Sequence, residues 1–267
     1  MNIIQQPDML SLSMNLKNFI IGSSRQTTFT LKAGDKELVS QVYAPDENGV
    51  MEIDIHEIVH SFLSYSLKDI GEVYQQTNLV ADFTAVIDST EITFRVIRSG
   101  VDRLTDSPTN FLTQNFLTWQ PNVKSVTYYS PEFLTYYAVV AGTVKLRAYF
   151  TDESGTVKSQ SDYTVTELMP GIAYTMPLQY SVVAGWLEHK LPAYYDVWVE
   201  NTSGQRLTYI QRYYAEDMRS EQEQWILFEN SLGGVDTFRA YGNTVFNGEH
   251  THNIAEIDEL FSEYRVD

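Results

Sequence analysis

Short segments in which apolar and polar residues alternate, bounded by turn-forming residues, recur along most of this chain. Side chains on a β-strand point alternately to its two faces, so a period of two predicts half-buried strands. Strands this short, with turns between them at close spacing, are typical of β-sandwiches. The clearest segments form predicted hairpins at residues 27–33 with 37–43, 79–87 with 92–98, 144–151 with 156–166, and 195–201 with 206–213.

The order of these hairpins repeats in the two halves of the chain. Each half has an early hairpin, a connector and a late hairpin, and the pattern of Phe83–Asp88 is similar to that of Val197–Asn201. This indicates a weak internal duplication. We therefore predict an all-β (mainly β) fold of two tandem β-sandwich-like domains with short connecting helices. The predicted organisation is a first sandwich at 1–100 with a short helix at 55–67, a connector at 101–122, a second sandwich at 123–242, and a polar C-terminal segment at 243–267 that we expect to continue in a longer protein.

The chain is strongly acidic, with a formal net charge of −17 from 35 acidic and 18 basic residues. A field of this sign repels phosphate backbones, so we expect no nucleic-acid partner. No apolar run is long enough to span a bilayer, and the first residues lack the basic region and apolar core of a secretory signal. The absence of cysteine excludes disulfides, thiolate metal sites and cysteine nucleophiles.

One motif in the chain has the spacing of a metallopeptidase site. Residues 56–60 read His56-Glu57-Ile58-Val59-His60, which is H-E-x-x-H. On a helix, positions i and i+4 share a face, so His56 and His60 could bind zinc while Glu57 acts as the general base. Asp54 is a suitable N-cap for such a helix, and Glu57 would then complete a capping box.

The residues around this motif argue against a metal site. Met51–Ile55 alternates as a strand does, so the helix would begin at the motif itself. A third zinc ligand is missing at the extended spacing, because Leu63 and Ser66 stand where a glycine and a histidine are needed. We interpret the motif as a strand-to-helix junction, and we predict no catalytic residue, no metal ligand and no cofactor. A zinc metallopeptidase that uses His56, His60 and Glu57 remains an alternative.

The aromatic residues raise another alternative, a carbohydrate-binding or adhesion module. Trp119 and Trp186 could stack on the sugar rings of a glycan partner if they are exposed. The chain also contains adjacent tyrosines, and alternation along a strand should place one of each pair inside and the other outside. These pairs are Tyr128-Tyr129, Tyr136-Tyr137, Tyr194-Tyr195 and Tyr213-Tyr214.

Two shorter motifs have simpler interpretations. Gly233-Gly234 predicts a tight turn that needs positive φ, because no phosphate-binding fingerprint surrounds the two glycines. His250 and His252 could share the face of a strand, but two ligands alone hold a metal poorly. We therefore predict that these two histidines lie in a solvated loop after Gly248.

Three segments are similar to sequences of a known group of proteins. Two of them are residues 225–238, which contain the string Leu-Phe-Glu-Asn-Ser-Leu-Gly-Gly-Val-Asp-Thr-Phe, and residues 43–55, in which an acidic glycine turn leads to Ile-Asp-Ile. The third is the region near the end that contains His-Thr-His at 250–252 and Glu-Tyr-Arg-Val-Asp at 263–267. They resemble large, uncharacterised tail-associated virion proteins of phages and prophages of gut anaerobic bacteria. The resemblance implies a non-enzymatic, β-rich tail or baseplate component that is located in the virion. Its implied partners are other virion or tail proteins, or further copies of itself, and no catalytic residues are carried over.

Overall fold

The computed structural model describes residues 1–68, 70–217 and 223–242, and the backbone of two strands at 255–259 and 262–266. The chain is mainly β, with several sheets and short helices, and this confirms the predicted all-β class. Among the described residues, no helix is both long and apolar enough to cross a membrane.

The first half forms two sheets that face each other. The elements of this half are β1 (Asn2–Gln5), β2 (Leu10–Leu12), β3 (Phe19–Gly22), β4 (Thr27–Ala33), β5 (Lys36–Tyr43), β6 (Val50–Ile53), α1 (His56–Phe62), β7 (Tyr74–Gln75), β8 (Val80–Ile87) and β9 (Thr90–Ile97). The larger sheet has the strand order β2-β9-β8-β4-β5, and the smaller sheet has the order β1-β3-β6.

The second half is built in the same way and then continues into two hairpins. The elements of this half are α2 (Pro108–Gln114), β10 (Val123–Val126), β11 (Phe133–Ala138), β12 (Gly142–Thr151), β13 (Val157–Leu168), β14 (Ile172–Pro177), α3 (Tyr180–Trp186), β15 (Tyr194–Asn201), β16 (Gln211–Ala215), β17 (Gln224–Glu229), β18 (Val235–Ala240), β19 (Ala255–Glu259) and β20 (Ser262–Val266). The larger sheet has the order β10-β16-β15-β12-β13, and the smaller sheet has the order β11-β14-β7. The pairs β17-β18 and β19-β20 are separate two-stranded sheets.

Alternating apolar residues of facing strands fill the space between the sheets of each half. In the first half, Phe19 of the small sheet packs edge-on against Phe29 and Phe94 of the large sheet. In the second half, Tyr195 and Tyr213 stack on each other inside the corresponding core. Burial of these large rings contributes about 2 kcal/mol or more for each side chain, so the two cores hold the sandwiches together.

The larger sheets of the two halves share one strand order and the same strand directions. β2, β9, β8, β4 and β5 occupy the same sheet positions as β10, β16, β15, β12 and β13, and in both sheets the first pair is parallel while the others are antiparallel. In the small sheets, β3 pairs with β6 as β11 pairs with β14. Each half also has one short helix between its small-sheet strand and its late hairpin, α1 in the first and α3 in the second. The strand order of the larger sheets is therefore repeated, as an internal duplication would require, while the third strand of the small sheets differs: β1 lies beside β3, and β7 lies beside β14.

The halves are joined by a strand that crosses from one to the other. β7 belongs to the first half of the sequence, but it pairs with β14 through Tyr74 opposite Thr175 and Gln75 opposite Tyr174. A third hydrophobic cluster lies between the halves and includes Leu12, Leu79, Ile97, Leu117, Tyr137 and Val235. The division into domains at residues 101–122 stays a prediction, and any such domains are connected by this shared sheet.

The helix predicted at 55–67 is shorter than expected. It runs from His56 to Phe62, its N-cap is Ile55, and Leu63 already has an extended backbone. Asp54, the predicted N-cap, lies outside the helix, and its carboxylate accepts a hydrogen bond from the His56 N–H at 2.9 Å. The helix ends early because Ser64 bonds to Asn78 and Ser66 bonds to Gln76, in the turn that follows β7.

Candidate functional site

His60 of the H-E-x-x-H motif has a side-chain partner, whereas Nε2 of His56 is buried without a hydrogen-bond partner among the described residues. Nδ1 of His60 lies 2.9 Å from Oγ of Ser13, and the ring centroids of His56 and His60 are 6.3 Å apart. Arg98 donates hydrogen bonds to the carbonyls of His60 and Leu63 at the end of α1. Burial, then the nearby Arg98 charge, then His56, lower the pKa of His60.

The position of α1 in the duplicated topology explains the motif in structural terms. The equivalent helix of the second half, α3, makes the same crossover between sheets, and its sequence Tyr180–Trp186 contains no histidine. Both helices bury apolar residues, such as Val59 in α1 and Val183 in α3. In the described part of the chain, no group of three or more His, Asp or Glu side chains is arranged to hold a metal ion.

The other predicted site residues are not brought together by the described contacts. Trp119 is 60% exposed, whereas Trp186 is half-buried and stacks on Tyr163 with a centroid distance of 5.4 Å. One face of the Trp186 ring is therefore already covered. His250 and His252 lie outside the residues that the structure describes.

The tyrosine pairs follow the alternation of their strands where one sheet face is open. Tyr195 and Tyr213 are fully buried, while Tyr194 and Tyr214 stand on the outer face of the larger second sheet. Two pairs depart from the prediction: Tyr128-Tyr129, in a turn, is exposed at both residues, and Tyr136-Tyr137 is buried at both. The strand of this second pair, β11, is covered on both faces, by the second core and by the cluster between the halves.

Cross-strand register also builds a row of alternating charges on that outer face. Arg147 lies between Asp162 of β13 and Asp196 of β15, and Asp196 lies opposite Arg212 of β16. Both oxygens of the Asp196 carboxylate accept hydrogen bonds from Arg212, at 2.6 and 2.7 Å. The sequence gives no signal for this row, since its members are far apart along the chain.

The segment that contains Gly233-Gly234 forms a hairpin whose turn is buried at the junction of the two halves. We call this hairpin, residues 224–240, the arm. Gly233 has φ of +92°, as the Gly-Gly motif predicts, and a Cβ atom there would overlap the carbonyl oxygen of Arg98 from the first half. A Cβ atom at Gly234 would overlap the carbonyl oxygen of Leu117 from the second half. The two glycines therefore let the turn enter a space bounded by backbone.

Polar side chains fix the base of the arm to the second half. The buried Asp236 carboxylate accepts hydrogen bonds from the Thr118 hydroxyl and from the Trp119 N–H. Thr237 donates its hydroxyl proton to the carbonyl of Pro131. Because a buried carboxylate is costly without such donors, these contacts favour one orientation of the arm.

A buried ion pair lies beneath this attachment. Nζ of Lys124 lies 2.8 Å from Oε1 of Glu132 and also donates to the carbonyl of Thr237 at 2.9 Å. Glu132 is completely buried. Burial raises the pKa of Glu132 to about 7, although the charge and hydrogen bond of Lys124 oppose this shift.

The arm presents an apolar surface to solvent beyond its anchored base. Ile226 pairs with Phe238 and Phe228 pairs with Asp236, so these residues share one face of the hairpin. Ile226 is 51%, Phe228 48% and Phe238 58% exposed. We call Ile226, Phe228 and Phe238 the arm face. The exposed Trp119 lies beside it, because its indole N–H donates to the hydroxyl of Ser231 at 2.9 Å.

Comparison with protein-family models gives no match for this chain, and comparison with curated proteins gives none either.

Proposed function

We propose that this chain is a non-enzymatic structural component of a phage or prophage virion, in the tail or baseplate, and that the arm makes its protein–protein contacts. The observation that carries the proposal is the arm face, which exposes three large apolar side chains on a rigidly anchored hairpin. Contiguous apolar surface of this kind is typical of protein–protein contact sites. The resemblance of residues 225–238 to virion proteins falls on the same hairpin.

The attachment of the arm supports a role in assembly. An interface residue contributes most when its position is fixed before binding, because less conformational entropy is then lost. The Gly-Gly turn at Arg98 and Leu117, the Asp236 contacts and the Lys124 contact together fix the arm at its base. The partner surface that fits is apolar at its centre, as in the cores of stable interfaces.

The proposal is tested on particles released after prophage induction in the source bacterium. We expect antibodies against the purified chain to label a tail or baseplate, and mass spectrometry of purified particles to detect the chain. In a genetic complementation assay, Phe238→Asp should abolish incorporation, since a carboxylate would be buried without a partner. The control Val42→Asp changes an equally exposed residue on β5 and should leave incorporation intact. Particles that lack the chain would refute the proposal.

The exposed indole of Trp119 favours a second candidate function, glycan binding in an adhesion module. An aromatic ring that is 60% exposed can cover the apolar face of a sugar. We expect a glycan array to show binding that Trp119→Ala removes and Trp186→Ala retains, because the Trp186 ring is already stacked on Tyr163. An array without any signal excludes this second function.

A further inference from the structure

The arm has one open edge. It is a two-stranded sheet, and no other described strand pairs with β17 or β18. On the β18 side, the Thr237 carbonyl accepts a hydrogen bond from Lys124, so this edge lies against the second half of the chain. β17 therefore forms the edge that faces away from this attachment.

The hydrogen-bond pattern shows which backbone groups of β17 have no partner among the described residues. The Asn230 N–H donates to the Gly234 carbonyl across the turn, so Phe228 and Ile226 are the next residues that bond to β18. Trp225, Leu227 and Glu229 then direct their N–H and C=O groups away from β18. The Lys124 contact agrees with this alternation of bonded and outward-directed residues. Lys124 bonds to the carbonyl of Thr237, which lies opposite Leu227 and, like Leu227, directs its backbone groups away from the partner strand.

β17 lacks the features that protect other edge strands of this chain. Sheet edges in soluble proteins usually carry charges or proline that block pairing with another chain. The edge strand β5 begins with Lys36-Glu37, and the edge strand β13 contains Lys158, Asp162 and Glu167. β17 reads Gln-Trp-Ile-Leu-Phe-Glu, and its one charge stands at the last residue, Glu229.

We infer that β17 pairs with β17 of a second copy of this chain, antiparallel about a two-fold axis. The inference rests on the proposed role of the arm and names its partner. In the register that fits best, Leu227 lies opposite Leu227 of the partner subunit, and Ile226 lies opposite Phe228 of the partner subunit. The outward-directed residues of the two strands then meet and exchange hydrogen bonds.

Charge selects this register over the one centred on Ile226. A pairing centred on Ile226 also matches the faces of the two strands, but it places Glu229 opposite Glu223 of the partner subunit. Like charges directly opposite each other destabilise a strand pair. In the register centred on Leu227, Glu229 lies opposite Trp225 of the partner subunit, so two carboxylates do not meet.

Pairing joins the two arms into one four-stranded sheet. A sheet of three or more strands with an apolar face is more stable than a two-stranded one. The arm faces of both copies would lie on the same side and form one continuous apolar surface. The dimer is therefore also the form that presents the larger surface to a further virion protein.

The absence of cysteine allows a direct cross-linking test. In the double variant Ile226→Cys/Phe228→Cys, opposite positions of the two strands would have Cα atoms about 4.5 Å apart, which suits a disulfide. We expect mild oxidation to yield a species of twice the 30.6 kDa chain mass. The matched control Ser40→Cys/Val42→Cys places two exposed cysteines at the same spacing on the edge strand β5 and should stay monomeric.

Analytical ultracentrifugation of the intact chain gives the second measurement. We expect a monomer–dimer equilibrium that Ile226→Lys weakens by about tenfold or more, because an ammonium group on an edge strand opposes pairing, whereas Val42→Lys leaves it unchanged. A monomer at every concentration, together with no cross-link, overturns the inference. If the chain is nevertheless found in particles, the proposed function stands without self-pairing; if a dimer forms but particles lack the chain, only the proposed function fails.

Discussion

Gly234 packs so closely against the carbonyl oxygen of Leu117 that no side chain fits between them. This contact joins the turn of the arm to the segment that leads into the second sandwich. It explains why a glycine pair stands in the middle of an otherwise apolar hairpin.

Gly234→Ala should destabilise the fold by about 2–3 kcal/mol, because the added methyl group must displace a backbone carbonyl. Thermal or urea unfolding of the purified variant measures the change. The control is Gly185→Ala in α3, where a Cβ atom meets nothing within 4 Å. That change should be neutral or stabilise by up to about 1 kcal/mol, since alanine favours a helix. Equal changes in the free energy of unfolding for the two variants would contradict the close packing of Gly234 against Leu117.

The charged row on the outer face of the second sandwich predicts unequal effects for two similar pairs. Asp196→Asn should cost about 3–5 kcal/mol, because Asp196 is buried and Arg212 would lose its counter-ion. Asp162→Asn should cost about 0–1 kcal/mol, because the Asp162 side chain is 60% exposed and water replaces the pair with Arg147. Chemical denaturation of both variants compares the two losses, and similar values would refute the role of burial.

The raised pKa of Glu132 leads us to expect that the stability of the fold depends on pH. Its pKa is about 7 in the folded chain, against an ordinary value of 4.5, so the folded state binds more protons between these values. The contribution of Glu132 to the free energy of unfolding is therefore largest below pH 4.5 and falls as pH rises through about 7. Urea unfolding of the parent chain and of Glu132→Gln at a series of pH values measures the difference, which should change with pH only in this window. A difference independent of pH would contradict the raised pKa.

We expect the motif histidines to have a role in packing, and this can be checked through stability and metal content. His60→Ala should lower the free energy of unfolding by about 1 kcal/mol, because the hydrogen bond to Ser13 is lost. His56→Ala is the matched control, since Nε2 of His56 is buried without a hydrogen-bond partner among the described residues. Elemental analysis should find no stoichiometric zinc, and added zinc should leave the unfolding temperature unchanged. One bound zinc per chain, lost in either variant, would restore the metallopeptidase alternative.

Alternation of apolar and polar residues in the sequence predicts the hairpins, but it does not predict strands that are buried on both faces. The predicted strands 144–151 and 156–166 match β12 and β13 closely, because one face of that hairpin is exposed and alternation is visible. β11 carries no alternation, since its residues are buried on both sides, and it was not predicted. β16 begins at Gln211, later than the predicted 206, because residues 206–210 hold only an isolated bridge between Arg206 and Glu200.

Contacts between distant segments determine the features of the fold and of the arm that the sequence does not predict. The length of α1 depends on Arg98 and Gln76, which bond to the chain just after the helix and are not visible from its own sequence. The arm was recognised as a strand, a Gly-Gly turn and a second strand, but its anchorage depends on Thr118, Lys124 and Pro131. The apolar composition of β17 was visible, whereas the exposure of alternate residues required the packed structure.

The strand β7 has a consequence for how such a chain can evolve. Duplicated modules that keep separate sheets can later be shuffled, lost or recombined as independent cassettes. Here the first half supplies a strand to the small sheet of the second, so a gene that inherited the second half alone would encode that sheet without its edge strand β7. A gene that inherited the first half alone would encode β7 without its partner β14. This one-way donation of β7 commits the two halves to a common lineage.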